Sequence, residues 1–426
     1  MKTLTVICLL VILASVCLAQ EVVTIDLSID RGPVTHRASG FLHAMTATVP
    51  EPSLVDPLKP KLFRMWAEDW HGKGEGAFAN YARVKKLGAK MQVVISDSTG
   101  YPQNGAWPGD DGNWAGWESL VENLVKRAKE KRCSFEWDIW NEPNVDYFWK
   151  RDQARFFETW IRAYRKIRSL DPKAVIVGPS ISGYDRKYLQ DFLTHMKAND
   201  ALPDKLAWHE FGDPRKIPAH VEEMRKFMQE QGMRVMPISL NEIINGSQAT
   251  KPGITVQYFA GIERAGVDGA CHACWGDETA GVTACENQSL DGILTHPDKQ
   301  PRSTWWAYKA YADITGRLVD VKPSATVDGV AGIDPKTGMV RVVLGRDGKE
   351  SGPVEVEFLN TRAGTSETSG KVYVHAERIP ASGWKALVSP EVAPLTGSYT
   401  LTATGVKITL PDFGPSDAYI IRLGVR

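Results

Sequence analysis

The sequence has few cysteines, no excess of charge of one sign and few long hydrophobic runs, and each shortage narrows what the protein can be. Its 426 residues include six cysteines, and 51 basic side chains balance 51 acidic ones. Without an excess of positive charge, the chain has no field that would attract nucleic acid or an anionic membrane surface. A chain of this length, 43% hydrophobic, can bury a large core and form two domains. We therefore expect a neutral or mixed ligand.

The longest apolar run lies at the very start of the chain. Residues 4–18 are apolar, follow Lys2 and end in "SVCLAQ", a pattern typical of a secretory signal peptide. The run is too short to favour a membrane-spanning helix. The sequence thus predicts a signal peptide over 1–19, with cleavage near Ala19, and a secreted or periplasmic protein with no membrane span. A lipoprotein signal ending at Cys17 is the weaker alternative.

The cysteines beyond the signal peptide number four, at 133, 271, 274 and 285. An even number in an exported chain permits disulfides. The motif "CHAC" resembles half of a zinc site, but on a strand Cys271 and Cys274 would point to opposite faces. We therefore predict no metal and no cofactor. Cys274 with Cys285 is the favoured disulfide, and buried free thiols are the alternative.

Eight short apolar runs alternate with helical patterns between residues 40 and 318. In 116–132, for example, apolar residues recur at helical spacing opposite charged ones. Eight strand-helix units predict a (β/α)8 barrel over 40–318 rather than an open sheet. The runs are 40–45, 62–68, 91–97, 135–144, 174–180, 206–211, 236–243 and 269–278.

The pattern changes to alternating strands after residue 318. Turn residues separate these strands, which predicts a C-terminal antiparallel β-sandwich over 319–426. The segment 20–39 is also strand-like and precedes the barrel, so we expect it to join that sandwich. The predicted C-terminal strands are 339–345, 353–360, 371–379, 398–411 and 418–425.

Two acidic residues end separate strands of the predicted barrel. The fourth run ends with Asn141-Glu142 and the seventh with Asn241-Glu242. The C-terminal ends of barrel strands form the active face, so the two glutamates should converge there. One such glutamate alone is more often part of a surface ion pair, but a matching pair indicates function. Paired carboxylates are what glycoside hydrolysis requires.

Beyond this pair, longer motifs resemble a known family. The chain resembles the clan A glycoside hydrolases, and within them family 39, which includes β-xylosidases and α-L-iduronidases. The resemblance covers about residues 114–180, and it implies a retaining O-glycosidase. The motifs are "WESLVENLV", "FEWDIWNEPN", "FW" at 148–149 and "DPKAVIVGP".

The family resemblance also implies roles for single residues. Glu142 would be the acid/base and Glu242 the nucleophile, with carboxyl groups about 5 Å apart. The charge of Glu242 would keep Glu142 protonated until the first step is complete. Asn141 would contact the 2-hydroxyl of the sugar. Arg64 matches an arginine that keeps the nucleophile ionised, with a structural ion pair as the alternative, and His209 matches a histidine at the edge of the site.

Aromatic residues complete the predicted site. Trp275, at the end of the eighth run, would form the floor under the sugar ring. Phe211 stands where the clan often has a tyrosine, so Glu242 must receive its hydrogen bonds from another group. Further residues near predicted strand ends are possible substrate contacts, namely His43, Trp66, Asp69, Trp70 and Glu278.

These predictions favour a secreted retaining glycosidase that acts on oligo- or polysaccharides and is β-xylosidase-like. One alternative is an endo-acting hydrolase, or an exo-enzyme for arabinose, galactose or a uronic acid. An alternative from another class is a carbohydrate-binding barrel without turnover. Both carboxylates are present, which argues against a loss of turnover, whereas the absent tyrosine is in its favour.

Overall fold

The computed structural model describes residues 21–43, 45–68, 76–98, 105–361 and 370–424. The predicted signal peptide and the possible contacts Asp69 and Trp70 therefore lie outside the described residues. In the described ranges, no helix has the length and apolar character needed to cross a membrane.

Strand β1 (Glu21–Pro33) precedes a closed barrel of parallel strands. Each predicted apolar run overlaps one strand of the barrel, and the first strand pairs with the last through Phe41 and His272. The predicted (β/α)8 barrel is thus confirmed. Its strands are β2 (Gly40–Phe41), β3 (Leu62–Trp66), β4 (Lys90–Val94), β5 (Glu136–Asp138), β6 (Val175–Ile181), β7 (Lys205–Glu210), β8 (Ile238–Ile243) and β9 (Gly269–His272).

Helices surround the barrel and pack their buried residues against it. In the predicted 116–132 helix, Val121, Leu124 and Val125 point into the core. The Asp152 side chain caps the helix Gln153–Leu170 (α4) by accepting from the Arg155 N–H, which satisfies a donor that has no partner within the helix. The helices are α1 (Pro52–Val55), α2 (Ala77–Lys86), α3 (Ala115–Glu130), α4 (Gln153–Leu170), α5 (Arg186–Ala198), α6 (Ile217–Glu230), α7 (Pro252–Ala265) and α8 (Ser303–Asp313).

A curled sheet with its own hydrophobic core follows the barrel. The sheet is mostly antiparallel, as predicted, but β1 pairs in parallel with one strand of this sheet, over Glu21–Asp26 and Val354–Leu359. Its other strands are β10 (Arg317–Lys322), β11 (Val327–Ile333), β12 (Val340–Arg346), β13 (Gly352–Leu359), β14 (Lys371–Ile379), β15 (Glu391–Val392), β16 (Gly397–Thr400), β17 (Gly405–Phe413) and β18 (Ala418–Gly424).

The barrel and the curled sheet meet along α7, the helix that follows β8. The N–H of Gly253 at the start of α7 donates to the Ser416 carbonyl. The Gln257 side chain donates to the Thr326 and Gly345 carbonyls. Strand β8 carries Glu242, and α7 is the next helix along the chain. The curled sheet therefore packs against the helix that follows one of the two predicted acids.

Candidate active site

Glu142 lies just beyond β5, at the C-terminal face of the barrel. Its φ of 45° is a left-handed conformation that costs a residue other than glycine about 1–3 kcal/mol. The Glu142 N–H donates to the Ser180 carbonyl, and the Glu142 carbonyl accepts from the Val145 N–H. These two hydrogen bonds stabilise the strained turn, and the side chain it presents is 13% exposed.

Glu242 faces Glu142 from β8. Its side chain is 15% exposed, so both carboxyl groups are largely buried yet reachable. The facing carboxylate oxygens lie within 4.8 Å of each other. This agrees with the predicted separation of about 5 Å.

Arg64 in β3 connects the parts of the site. It is 1% exposed, and each of its nitrogens has a partner 2.8 Å away: Nη1 donates to Glu242, Nε to Asp138 and Nη2 to Asn141. Although burial lowers the pKa of Arg64, the charges of Asp138 and Glu242 raise it above its usual value. The guanidinium therefore stays charged and holds Glu242 in place.

A buried polar layer beneath the glutamates supports this arginine. Asp138 accepts from the Ser180 hydroxyl at 2.8 Å and from the Asn241 amide at 2.9 Å. Neither Asp138 nor Ser180 was predicted from the sequence. Asp138 could have been found because it is an acid inside the apolar run that ends in Glu142, and a buried ionised side chain needs a partner.

His209 lies between the two glutamates. Its Nδ1 is 2.8 Å from Glu142 Oε1, and its Nε2 is 3.9 Å from Glu242 Oε1. The side chain is fully buried, so His209 does not line the cleft as expected of a substrate-binding residue. Arg64 is buried in the same way. Both residues instead contact carboxyl groups of the site.

The two glutamates have pKa values shifted in opposite directions. Burial raises the pKa of Glu142, but the hydrogen bond and charge of His209 outweigh it, so the pKa lies below its usual value. Burial also raises the pKa of Glu242, and here it prevails over the charges of His209 and Arg64. The pKa of Glu142 is therefore not raised in the way expected from the charge of Glu242, because His209 contacts the same carboxyl group.

Trp275 follows β9 and packs edge-on against Phe211, with 5.3 Å between ring centroids. Its indole N–H donates to the Ile244 carbonyl just beyond β8. The structure places Trp275 beside the strand that carries Glu242. The Cys274–Cys285 disulfide, the pair favoured from the sequence, closes a hairpin that begins at this tryptophan.

Phe211 has no hydroxyl to offer, and its ring packs on His209 at 5.5 Å between centroids. Glu242 receives its hydrogen bond from Arg64 instead. The aromatic side chain thus fills space at the position where the clan often has a hydrogen-bond donor. The predicted departure from the clan is compensated by the arginine.

Two other predicted contacts form a stacked pair at neighbouring strand ends. The rings of His43 and Trp66 are parallel within 15°, with centroids 3.8 Å apart. Burial, and then the charge of Arg64, lowers the pKa of His43 to about 3, so the imidazole is neutral at ordinary pH. The side-chain oxygen of Asn141 accepts a hydrogen bond from Arg64. Glu278 is exposed.

Glu142, His209 and Glu242 form the one group in the described residues whose donor atoms are close enough together to hold a metal ion, all within 4.8 Å. Arg64 donates to Glu242 in the same place. A cation bound there would lie close to the guanidinium, and the two positive charges would repel each other. The donor set therefore fits a proton better than a metal ion.

A (β/α)8 barrel and a pair of carboxylates at this separation occur together in barrel glycoside hydrolases. Within that class, residues 107–247 match the family model described as Glycosyl hydrolases family 39. The resemblance to this family predicted from the sequence is confirmed, and the comparisons support a glycoside hydrolase.

A curated relative is similar over more than half of the chain. It is named 3-O-beta-L-arabinopyranosyl-alpha-L-arabinofuranosidase, from Bifidobacterium pseudocatenulatum, and is 25% identical over 291 residues, which cover 60% of this chain and 28% of the relative. The chain spans only 15% to 28% of the length of the curated relatives that it matches.

Solved structures match the whole fold. N2152 from Neocallimastix frontalis has a TM-score of 0.82 and 25% identity, with 96% of this chain and 100% of that chain covered. A monomeric beta-xylosidase from Caulobacter crescentus has a TM-score of 0.66 and 17% identity, with 95% and 99% covered. At that identity, the second likeness speaks for the fold alone.

Proposed function

We propose that this protein is a retaining O-glycoside hydrolase that cleaves oligo- or polysaccharides and is β-xylosidase-like. The observation that carries the proposal is the separation of the Glu142 and Glu242 carboxylates, whose facing oxygens lie within 4.8 Å. Retaining enzymes have their two carboxyl groups about 5–5.5 Å apart, whereas inverting enzymes need a wider gap for water.

In the first step, Glu242 attacks the anomeric carbon while Glu142 protonates the departing oxygen. Arg64 stabilises the ionised nucleophile through the bond of 2.8 Å to Oε1. The bond to the leaving group breaks, its electron pair takes the proton from Glu142, and the sugar becomes an ester on Glu242. Trp275 would lie against the C–H face of the sugar ring.

The Glu142 carboxyl group that supplies this proton lies 2.8 Å from His209 Nδ1, which is within hydrogen-bond distance. A bound sugar removes water from Glu142, and desolvation favours the neutral acid. In the second step, Glu142 takes a proton from a water molecule whose oxygen bonds to the anomeric carbon, and the bond between that carbon and Glu242 breaks to release the Glu242 carboxylate.

The acid/base assignment is tested with Glu142→Ala. We expect turnover of unactivated disaccharides to fall by about 10²–10⁴-fold, because they need a donated proton. Aryl glycosides with good leaving groups should be affected far less, and azide should restore their turnover by replacing the missing base. The exposed Glu230→Ala serves as the control. Equal losses on both kinds of substrate without azide rescue would remove Glu142 from this role.

An arabinofuranoside is the second candidate substrate. The observation in its favour is the name of the Bifidobacterium relative, which is similar over 60% of this chain. Hydrolysis of 4-nitrophenyl β-xyloside and α-arabinofuranoside under the same conditions decides between the two. A higher kcat/KM for the arabinofuranoside would replace the xylosidase assignment and leave the mechanism unchanged.

We also propose that the protein is exported from the cytoplasm before it acts. The apolar run at 4–18 after Lys2 supports cleavage near Ala19. Expression of the whole chain with its N-terminus intact, followed by N-terminal sequencing of protein recovered outside the cytoplasm, tests it. Protein that stays in the cytoplasm with Met1 in place would contradict export.

A further inference from the structure

A third carboxyl group, which has no part in the two steps above, lies beside the glutamates. Asp97 follows β4 in a short 3₁₀ turn, Ser96–Ser98, and is partly exposed. Its Oδ1 accepts from the Ser96 hydroxyl at 2.8 Å. The same hydroxyl accepts from the Asn141 N–H at 3.1 Å. Ser96 thereby ties Asp97 to the strand end that presents Glu142.

Asp97 also lies close to the charges at the base of the site. Burial raises the pKa of Asp97 to about 6, Arg64 opposes the shift, and Asp138 and Glu242 add to it. In the described ranges, the second oxygen of Asp97 has no hydrogen-bond partner, since Ser96 binds Oδ1. An acceptor oxygen is therefore available to a ligand at the barrel mouth.

The charges around this oxygen limit the kind of ligand. The carboxyl groups at the site are those of Asp97, Asp138, Glu142 and Glu242. Across the described chain, Arg64 is the one lysine or arginine in salt-bridge contact with any of them. Each of its nitrogens already has a protein partner. Among the described lysines and arginines, only Arg64 offsets the charge of these four carboxyl groups.

We propose that Asp97 binds a hydroxyl group of an uncharged sugar ring and excludes sugars that carry a carboxylate. The inference rests on the proposed function and narrows its substrate class, since the sequence left a uronic acid open. A hydroxyl donating to a carboxylate forms a charge-assisted hydrogen bond. A uronate carboxylate in the same place would meet like charge in a partly buried site, where repulsion is weakly screened.

The test compares Asp97→Asn with the wild type on three kinds of aryl glycoside. They are the neutral 4-nitrophenyl pentoside or hexoside that the wild type hydrolyses fastest, its monodeoxy analogues, and the 4-nitrophenyl glucuronide. We expect kcat/KM on the neutral glycoside to fall by about ten- to a hundredfold, the range for losing a hydrogen bond to a charged group. One deoxy analogue should lose this sensitivity, because it lacks the hydroxyl that Asp97 binds.

The glucuronide gives the opposite expectation. Its kcat/KM relative to the neutral glycoside should rise about tenfold in Asp97→Asn, because one repelling charge is gone. The exposed Asp412→Asn in the curled sheet is the control. A wild type that prefers the glucuronide, or a loss in Asp97→Asn that is equal on every deoxy analogue, overturns the inference.

Failure of the proposed function is distinguishable from failure of this inference. A wild type that hydrolyses no glycoside contradicts the proposed function. The inference is then decided by calorimetric binding of xylo-oligosaccharides and of their aldouronic counterparts. Loss of neutral-sugar binding in Asp97→Asn supports it, whereas unchanged binding, or no binding by the wild type, overturns it.

Discussion

Arg64 is the side chain that joins Glu242 to the buried polar layer beneath it. It contacts Glu242, Asp138 and Asn141 at 2.8 Å each and is almost fully buried. We expect Arg64→Ala to lower kcat by at least about a hundredfold, the scale of losing one strong electrostatic contact. The sequence alone suggests that the fold would be unaffected. The structure changes that expectation, because Asp138 would lose its charged partner, at a cost of about 3–5 kcal/mol.

The pH profile separates a lost charge from a lost fold. Arg64 lowers the pKa of Glu242, so its removal should raise that pKa further. Because Glu242 must be ionised to act as the proposed nucleophile, the acid limb of kcat/KM should move to higher pH in Arg64→Ala. The exposed Arg186→Ala is the control. A folded Arg64→Ala with near-normal turnover and an unmoved acid limb would show that another group stabilises Glu242.

The two glutamates could be predicted from the sequence because each ends an apolar run, which is a local signal. The layer beneath them could not, because its contacts join strands far apart in the chain. Arg64 and Asp138 are 74 residues apart, and Ser180 and Asp138 are 42 apart. No local pattern indicates that His209 reaches both glutamates, and this contact reverses the expected pKa shift of Glu142.

At the scale of elements, the hairpin 274–285 presents Trp275 to the site. The disulfide joins its ends, the Ala284 N–H donates to the Trp275 carbonyl, and Gly276 forms a β-bridge with Thr283. The backbone and the disulfide both hold the hairpin together. Its conformation should therefore depend on the oxidised state of the two cysteines.

Replacing both Cys274 and Cys285 with serine should raise KM more than it lowers kcat, because in the proposed mechanism Trp275 would contact the sugar ring and not the reacting atoms. Opening so short a loop should also lower the free energy of unfolding by up to about 3 kcal/mol. A reducing agent should produce the same KM in the wild type. Cys133→Ser, at a partly exposed free thiol, is the control. Identical KM values in all four samples would show that the hairpin keeps Trp275 in place without the disulfide.

The strands of the barrel could be predicted because each combines an apolar run with a polar end. Strand β11 was not among the predicted strands, because all seven of its residues are buried and no alternation of polar and apolar side chains marks it. The parallel pairing of β1 with β13 could not be predicted either. It joins strands from opposite ends of the chain, and local alternation indicates a strand without indicating its partner.

At the scale of the whole molecule, the curled sheet and the barrel are in contact backbone to backbone. Gly345 in β12 faces Gly253 at the start of α7, where a Cβ atom on Gly345 would lie 2.1 Å from the Gly253 carbonyl oxygen. Arg264 in α7 also pairs with the buried Asp328 in β11. The barrel and the curled sheet should therefore unfold together. Their contact should depend on the absence of side chains at Gly345 and Gly253, where β12 meets α7.

Gly345→Ala tests this coupling. The added methyl group meets backbone, which cannot move aside as a flexible side chain can, so we expect the free energy of unfolding to fall by about 1–3 kcal/mol. Urea unfolding followed by tryptophan fluorescence, which reports on the barrel, measures the effect. Gly397→Ala in β16, where a Cβ atom meets nothing within 4 Å, is the matched control. If the tryptophan fluorescence of Gly345→Ala changes at the same urea concentration as that of Gly397→Ala, the stability of the barrel does not depend on its contact with the sheet.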